Sequence, residues 1–482
     1  MSLDDRPWET VIGLEVHCQL ATAEKLFCGC PNRFGQPPNR DTCPICLGMP
    51  GVLPVLNPHA VRLALRAGHA LGCVVQPRSI FARKHYFYPD LPKGYQITQY
   101  EQPILLGGAV DLELDDGRSA RINLTRIHIE EDAGKSSHGE GGATLVDLNR
   151  AGVPLIEIVS EPEMRSADEA VAYLRALHAI VRYLGVSDGN MEEGSFRCDA
   201  NVSIRRAGET TLGTRTELKN LNSFRGVQRS IEYEAGRHAD LLEHGRAIVQ
   251  ETRLWDDAAG RTRAMRGKEE AHDYRYFPEP DLPALVLTAA DEVAATVDLP
   301  ELPAARRARL VAVTGLSAYD AAVLTAERAL ADYFEAAVAA HPANPKGISN
   351  WVTSELLARV PADAVAAGPV PPVALARLVG LIDDGTLSGR LAKEVFEAML
   401  AGEGDPDAIV EARGLRQVTD SDAIEVACRA VIAGNPAQLA QFRGGKAQVK
   451  GFFVGQVMRA TGGKANPGQV NALLDRLLAE GE

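Results

Sequence analysis

The sequence predicts an α+β fold, a mixed sheet-and-helix region followed by an all-helical C-terminal part. Three observations lead there. Residues 9–295 carry short alternating apolar and polar runs among many Gly, Pro and β-branched residues, the period of half-buried strands. Helical-period runs lie between them without regular β-α alternation, which favours an antiparallel sheet. After the proline-punctuated segment Pro280 to Pro303 the composition turns to Ala and Leu.

Val110 to Leu114, Ala120 to Leu124 and Cys198 to Arg205 read as strands. Pro58 to Leu71 and Ser166 to Leu184 read as helices, the second with Ser166 as N-cap and Val171, Leu174, Leu177 and Val181 on one face. Beyond the proline segment, Leu375, Leu378, Val379 and Ile382 recur at helical spacing, as do Ile424, Ala427, Cys428 and Val431. Ser388 caps a further helix carrying Leu391, Val395 and Met399, and Gly402 to Asp407 and Gly414 are candidate joints. A domain division is expected near residue 295.

A chain of 482 residues exceeds what one core usually serves, so two or three domains are expected. There is no run of about 18 apolar residues, and the first eight residues are polar and acidic, which points to the cytoplasm. Eight cysteines are too sparse for a disulfide scaffold and are expected reduced. A net charge of -13 excludes a protein that coats nucleic acid non-specifically. A local RNA-binding patch stays open, because Arg443, Lys446, Lys450, Arg459 and Lys464 occur with no acidic residue between them.

Cys28 and Cys30, then twelve residues, then Cys43 and Cys46 form two close pairs that can meet on one tetrahedral zinc. With four sulfurs and no open position, such a metal holds a loop and activates nothing; the alternative is buried or free thiols. Cys18 directly follows His17, but neighbours on a strand point to opposite faces, so a catalytic Cys-His pair is disfavoured. Cys73, Cys198 and Cys428 read as small apolar residues.

Glu15, His17 and Gln19 alternate with Leu14, Val16 and Cys18, giving one polar strand face that is either a cavity wall or a solvated surface. Glu130, Glu131 and Asp132 precede Gly134-Lys135-Ser136, which imitates a phosphate loop but has Ile129 where that motif needs glycine. Arg197, Asp199 and Asn201 make another polar face. Carboxylates such as Glu15, Glu131 and Asp199 suit Mg²⁺ bridged to nucleotide phosphates; equally, they could pair with Arg126, Arg150, Arg197 and Lys219 in a structural network. In Phe81 to Gln96, Arg and Lys interleaved with Tyr could hold phosphate and stack a base, whereas Asp273 to Pro278 reads equally as an aromatic cluster.

Taken together these blocks resemble the GatB family, one of the three components of the GatCAB tRNA-dependent amidotransferase. The resemblance spans essentially the whole chain: VIGLEVHCQL (11–20), CPICLGMPGVLPVLN (43–57), FARKHYFYPDLPKGYQITQY (81–100), HIEEDAGK (128–135), DLNRAGVPLIEIVSEP (147–162), GSFRCDANVS (194–203), TELKNLNSF (216–224) and DYRYFPEPDL (273–282), with a YqeY-like ending at 451–474. It implies a cradle-shaped catalytic domain over 1–295, a helical domain over 296–412 and a small α-helical tRNA-binding tail over 413–482. It also implies a reaction. ATP phosphorylates the side-chain carboxylate of Glu-tRNA(Gln) or Asp-tRNA(Asn), and ammonia channelled from a GatA-type amidase subunit displaces the phosphate, with a small GatC-type subunit bracing the heterotrimer.

Carried onto this sequence, the resemblance implies His17 and Glu131 as Mg²⁺ ligands, with Glu15, Glu130 and Asp199 completing or supporting them. Lys84 and Arg197 would contact phosphate or carboxylate, and Ser195, Asn201, Lys219 and Tyr86 nucleotide or substrate. Lys450, Arg459 and Lys464 would meet the tRNA backbone, and Cys28, Cys30, Cys43 and Cys46 would hold a structural Zn²⁺. A non-catalytic tRNA-binding scaffold and a stand-alone ammonia-dependent ligase are the alternatives.

Overall fold

A ten-stranded sheet organises the first of two units, residues 1–303. The computed structural model describes residues 7–114, 116–138, 140–265, 274–417 and 420–480. In chain order the strands that matter are β1 (Trp8–Gln19), β2 (Val74–Val75), β3 (Phe81–His85), β4 (Tyr95–Gln99), β5 (Leu105–Leu106), β6 (Ala109–Glu113), β7 (Ser119–Glu131), β8 (Pro154–Ser160), β9 (Phe196–Arg206), β10 (Thr216–Leu221), β11 (Thr252–Asp256), β12 (Arg261–Ala264) and β13 (Phe277–Pro278). The large sheet runs β12-β11-β10-β9-β1-β8-β7-β5-β2, with β6 also on β7, while β13, β3 and β4 form a separate three-stranded sheet. The pairing is antiparallel as expected, except that β10 and β11 run parallel.

Three helices cover one face: α1 (Pro58–Ala70), α2 (Ala167–Tyr183) and α3 (Phe224–Glu243). Each starts on a side-chain cap: Asn57 accepts from the His59 N–H, Ser166 from Glu169 and Ser223 from Gly226, so an otherwise orphaned amide is satisfied before the helix enters the core. Ile12, Leu14, Val16 and Cys18 of β1, Ile127 and Ile129 of β7, Ile156 and Ile158 of β8, and Cys198, Ala200 and Val202 of β9 form one buried cluster with Leu174, Leu177, Val181, Val227 and Ile231 of the helices. Because side chains alternate along a strand, the polar residues between them emerge together on the sheet's other face. The unit continues past residue 295: Ala295 lies buried in this same core, and the Arg66 guanidinium donates to its carbonyl.

The second unit, residues 304–482, is helical and contains two separate hydrophobic clusters, one from Leu310 to Leu415 and one from Ile424 to Leu478. In the first, Leu375, Leu378 and Val379 of α4 (Pro372–Asp383) meet Leu391, Val395 and Met399 of α5 (Gly389–Leu400), which Ser388 caps. Gly414 ends the helix Pro406–Arg413 at φ 58°, the left-handed turn that glycine adopts without strain. The second cluster joins α6 (Ser421–Ala433), α7 (Lys450–Ala460) and α8 (Pro467–Ala479).

Candidate functional site

Strand register assembles the site. His17 lies opposite Glu157, and Glu157 opposite His128, so one row across β1, β8 and β7 presents imidazole, carboxylate and imidazole on the polar face. Glu130, two residues beyond His128, shares that face. His17 Nε2 is 3.3 Å from Glu157 and 3.8 Å from Glu130, and His128 Nε2 is 3.5 Å from Glu157 and 3.6 Å from Glu130. The Thr98 hydroxyl donates to Glu130 at 2.9 Å. One ligand atom each from His17, Glu130 and Glu157 falls within 4.8 Å of the others, a spacing that suits one divalent cation with positions left for water or phosphate oxygen.

Burial disfavours the charged form of His17, but hydrogen bonding to Glu157 and the fields of Glu157, Glu130 and Asp199 outweigh it and hold the imidazolium pKa up at about 9. Glu157 and Glu130 are also desolvated, yet both are held below the usual carboxylate range, Glu157 by His128, His17 and Lys84, and Glu130 by His128 and His17. Glu15, one step along β1, is raised by burial and by the carboxylates of Glu157, Glu217 and Asp199.

This row floors a cleft of about 1060 Å³. Asn201 donates to Glu15 at 2.9 Å, and Lys219 bridges Asp199 and Glu217, the latter at 3.0 Å. Lys84 enters from β3; burial opposes its charge, but Glu130 and Glu157 more than restore it, and its ammonium lies 4.9 Å from the Tyr274 ring centre. The rim is aromatic: Tyr100 and Tyr276 stack at 4.0 Å, and Tyr86 makes edge contacts with Tyr88 and Tyr274. The two aromatic stretches of the sequence are therefore one structure, joined where the His85 N–H donates to the Tyr274 carbonyl at 2.9 Å and Phe277 pairs with Arg83. Asp273 lies outside the described residues.

Away from the cleft, the sulfurs of Cys28, Cys30, Cys43 and Cys46 lie within 4.8 Å of one another. Zinc–sulfur bonds of about 2.3 Å need only a small contraction of that group. The thiols share their protons unevenly: hydrogen bonding from Cys28, with help from the Cys43 amide and the Lys25 charge, lowers Cys46, while the same bond and burial raise Cys28 and burial raises Cys30.

The chain matches the GatB/GatE catalytic domain family over residues 10–292 and the GatB domain family over 332–478. It belongs to the GatB family. Its relatives in Halorhodospira halophila, Thioalkalivibrio sulfidiphilus and Geobacter sulfurreducens carry the name of the GatB component of aspartyl/glutamyl-tRNA(Asn/Gln) amidotransferase. They share 59% identity over 476 residues, 57% over 474 and 58% over 477 respectively, each match covering 98% of this chain and 99% of the relative.

In this GatB chain the residues singled out from sequence divide among three places. Glu15, His17, Glu130, Asp199, Lys84, Asn201 and Lys219 line the large cleft, with Tyr86 behind its rim. Ser195 and Arg197 line a second cleft of about 620 Å³, where Arg197 holds Asp132 at 2.9 Å and Gln19 donates to the same carboxylate. Glu131 joins neither. It shares strand parity with Ile127 and Ile129, and its carboxylate is taken by the Lys93 ammonium and the Ile97 N–H. Glu131 therefore lies apart from His17, whose neighbours on the cleft floor are Glu130 and Glu157; Glu15 stands beside this group, bonded to Asn201.

Glu157 and His128 were missed. The available signal was a lone carboxylate at a strand position flanked by Ile156 and Ile158, and a histidine in phase with Glu130. Gly134 to Ser136 is no phosphate loop: Ser136 bonds Asp90, and residues 135–138 form a strand. Cys18 lies on the apolar face, and burial pushes its thiol up to about 12, far from a nucleophile.

In the helical unit, Lys450 pairs with Asp475 at 2.6 Å, while Arg459 sits in the last turn of α7 and Lys464 follows it. Among the described residues no helix is long and apolar enough to cross a membrane.

Proposed function

We propose that this chain is the phosphoryl-transfer and amidation subunit of a cytoplasmic tRNA-dependent amidotransferase. The observation that carries this reading is the His17–Glu130–Glu157 group on the floor of a large polar cleft. A magnesium ion held by these three side chains would supply positive charge to a nucleotide triphosphate. The side-chain carboxylate of Glu-tRNA(Gln) or Asp-tRNA(Asn) attacks the γ-phosphorus of ATP, ADP leaves, and ammonia then attacks the acyl carbon and expels phosphate. Phosphorylation is needed because the bare carboxylate has no leaving group.

Within that sequence, His128 and Thr98 orient Glu130, and Lys84 offers a buried ammonium to transferring oxygens. Lys219 bridges Asp199 and Glu217 and offsets their mutual repulsion. Ammonia would come from glutamine hydrolysed in a GatA-type partner, with a GatC-type third subunit, and Arg459 and Lys464 of the tail would meet tRNA phosphates. The four-cysteine group fits a structural zinc because every donor is sulfur and none is left for chemistry.

The test is the reconstituted complex with Glu157→Ala or His17→Ala. Glutaminase activity and tRNA binding should persist while ATP-dependent amidation falls by at least about a hundredfold. Normal amidation in both variants would return the chain to a tRNA-binding scaffold. Amidation by the chain alone with ammonium, unaffected by the partners, would make it a stand-alone ligase.

A further inference from the structure

Four Lys or Arg side chains reach the large cleft among the described residues: Lys84, Lys219, Arg126 and Arg215. Two are already compensated, Lys219 by Asp199 and Glu217 and Lys84 by the fields of Glu130 and Glu157. Arg215 is exposed, and water can satisfy its donors. Arg126 differs from all three. Its side chain makes no hydrogen bond or ion pair among the described residues, and its Nε–H is shielded from solvent with no acceptor. A guanidinium donor kept from water and left unpaired is costly, and folded proteins seldom tolerate it without a use.

Its position supplies one. Arg126 lies opposite Val159 of β8, which lies opposite Glu15 of β1, so it belongs to the cleft-facing row next to His128–Glu157–His17. Two residues along a strand span about 7 Å, which puts the Arg126 Cα within one small substrate of His128. The cleft walls are otherwise rich in carboxylates, namely Glu15, Glu130, Glu157, Asp199, Glu217 and Glu251. An anionic substrate entering this field needs positive charge beyond Lys84, and a planar fork of N–H donors matches a carboxylate or phosphate oxygen pair.

We propose that Arg126 is a substrate-binding residue of the cleft that takes an oxyanion of the reacting molecules, either the acceptor carboxylate of the aminoacyl group or a phosphate of the nucleotide. The assignment rests on the phosphoryl-transfer reading above. Among the described residues no partner atom is present for it, and one arrives with substrate.

The experiment uses the full complex carrying Arg126→Gln or Arg126→Lys, with KM measured separately for ATP and for the misacylated tRNA. Arg126→Gln should raise one of these KM values roughly ten- to a hundredfold. Arg126→Lys, which keeps charge but loses the fork, should recover only part, and free guanidinium ion should restore the Gln variant. A shift confined to ATP identifies a phosphate; one confined to the misacylated tRNA, with binding of uncharged tRNA unchanged, identifies the carboxylate. Unmoved KM values, an equal loss of uncharged tRNA binding, or a fall in kcat with a lower Tm and no guanidinium rescue would overturn the proposal. The wild-type complex is run in parallel: if it shows no ATP-dependent amidation, the phosphoryl-transfer reading fails first, whereas a working wild type with indifferent variants sinks Arg126 alone.

Discussion

Glu130 and Glu131 are consecutive on one strand, yet they serve opposite faces: Glu130 meets His17 and His128 in the cleft, while Glu131 closes on Lys93 and the Ile97 amide on the apolar side. Both are buried, at 3% and 2% exposure, so solvent access does not distinguish them. Their different partners predict different consequences of substitution.

Glu130→Gln should collapse ATP-dependent ADP formation at only a modest cost in thermal midpoint. Glu131→Gln should do the reverse, because it strands the Lys93 ammonium in a buried setting, a loss of about 3 kcal/mol. Urea unfolding and an ADP-release assay on both variants check this; equal stability losses would refute the division.

A second buried carboxylate ties α3 to the sheet edge. Glu234 is fully buried and accepts from Thr216 at 2.9 Å and Thr262 at 2.8 Å, with His238 at 3.2 Å and Arg237 beside it. Burial raises its pKa, but these donors overcome that and leave it well below the usual carboxylate range. A depressed carboxylate contributes stability that is complete above the unfolded pKa of about 4.3 and lost as pH falls toward the folded value. The stability gap between the parent and Glu234→Gln should therefore be wide at neutral pH and shrink below about pH 4. A gap that stays constant from neutral to acidic pH would rule this out.

Chelation of a metal held by the four cysteines, or Cys43→Ser, should lower the thermal midpoint and expose the 28–46 loop to protease. Amidation at low temperature should persist, since four sulfur ligands leave no position for substrate. Metal analysis alongside activity decides it: loss of turnover in strict proportion to zinc would contradict a structural role.

In the tail, Arg459→Ala and Lys464→Ala should each weaken tRNA binding and reduce the log-log salt slope by somewhat under one. Lys450→Ala should do less, because its ammonium already holds Asp475 at 2.6 Å. Filter binding across a salt series measures this, and identical effects of all three changes would show that the ion pair is irrelevant.

Much of this was legible locally. The alternation in 14–19 and 196–202 placed Glu15, His17, Asp199 and Asn201 on polar faces, and Ser166, Ser388 and the helical-period leucines marked helices that form where expected. Even the misplacement of Glu131 had a readable remedy, since its parity is that of Ile127 and Ile129.

By itself, then, the sequence determined the family, the succession of mixed and helical regions, the cysteine quartet and the polarity of each strand face, because side-chain period and short-range spacing are properties of contiguous residues. Only the tertiary structure decided that β8 inserts between β1 and β7, bringing Glu157 against His17 and His128, and that Arg197 turns to Asp132 in a neighbouring cleft. Strand order and register are fixed by long-range burial of one face against helices far away in the chain, and no local pattern encodes which polar faces will then share a row.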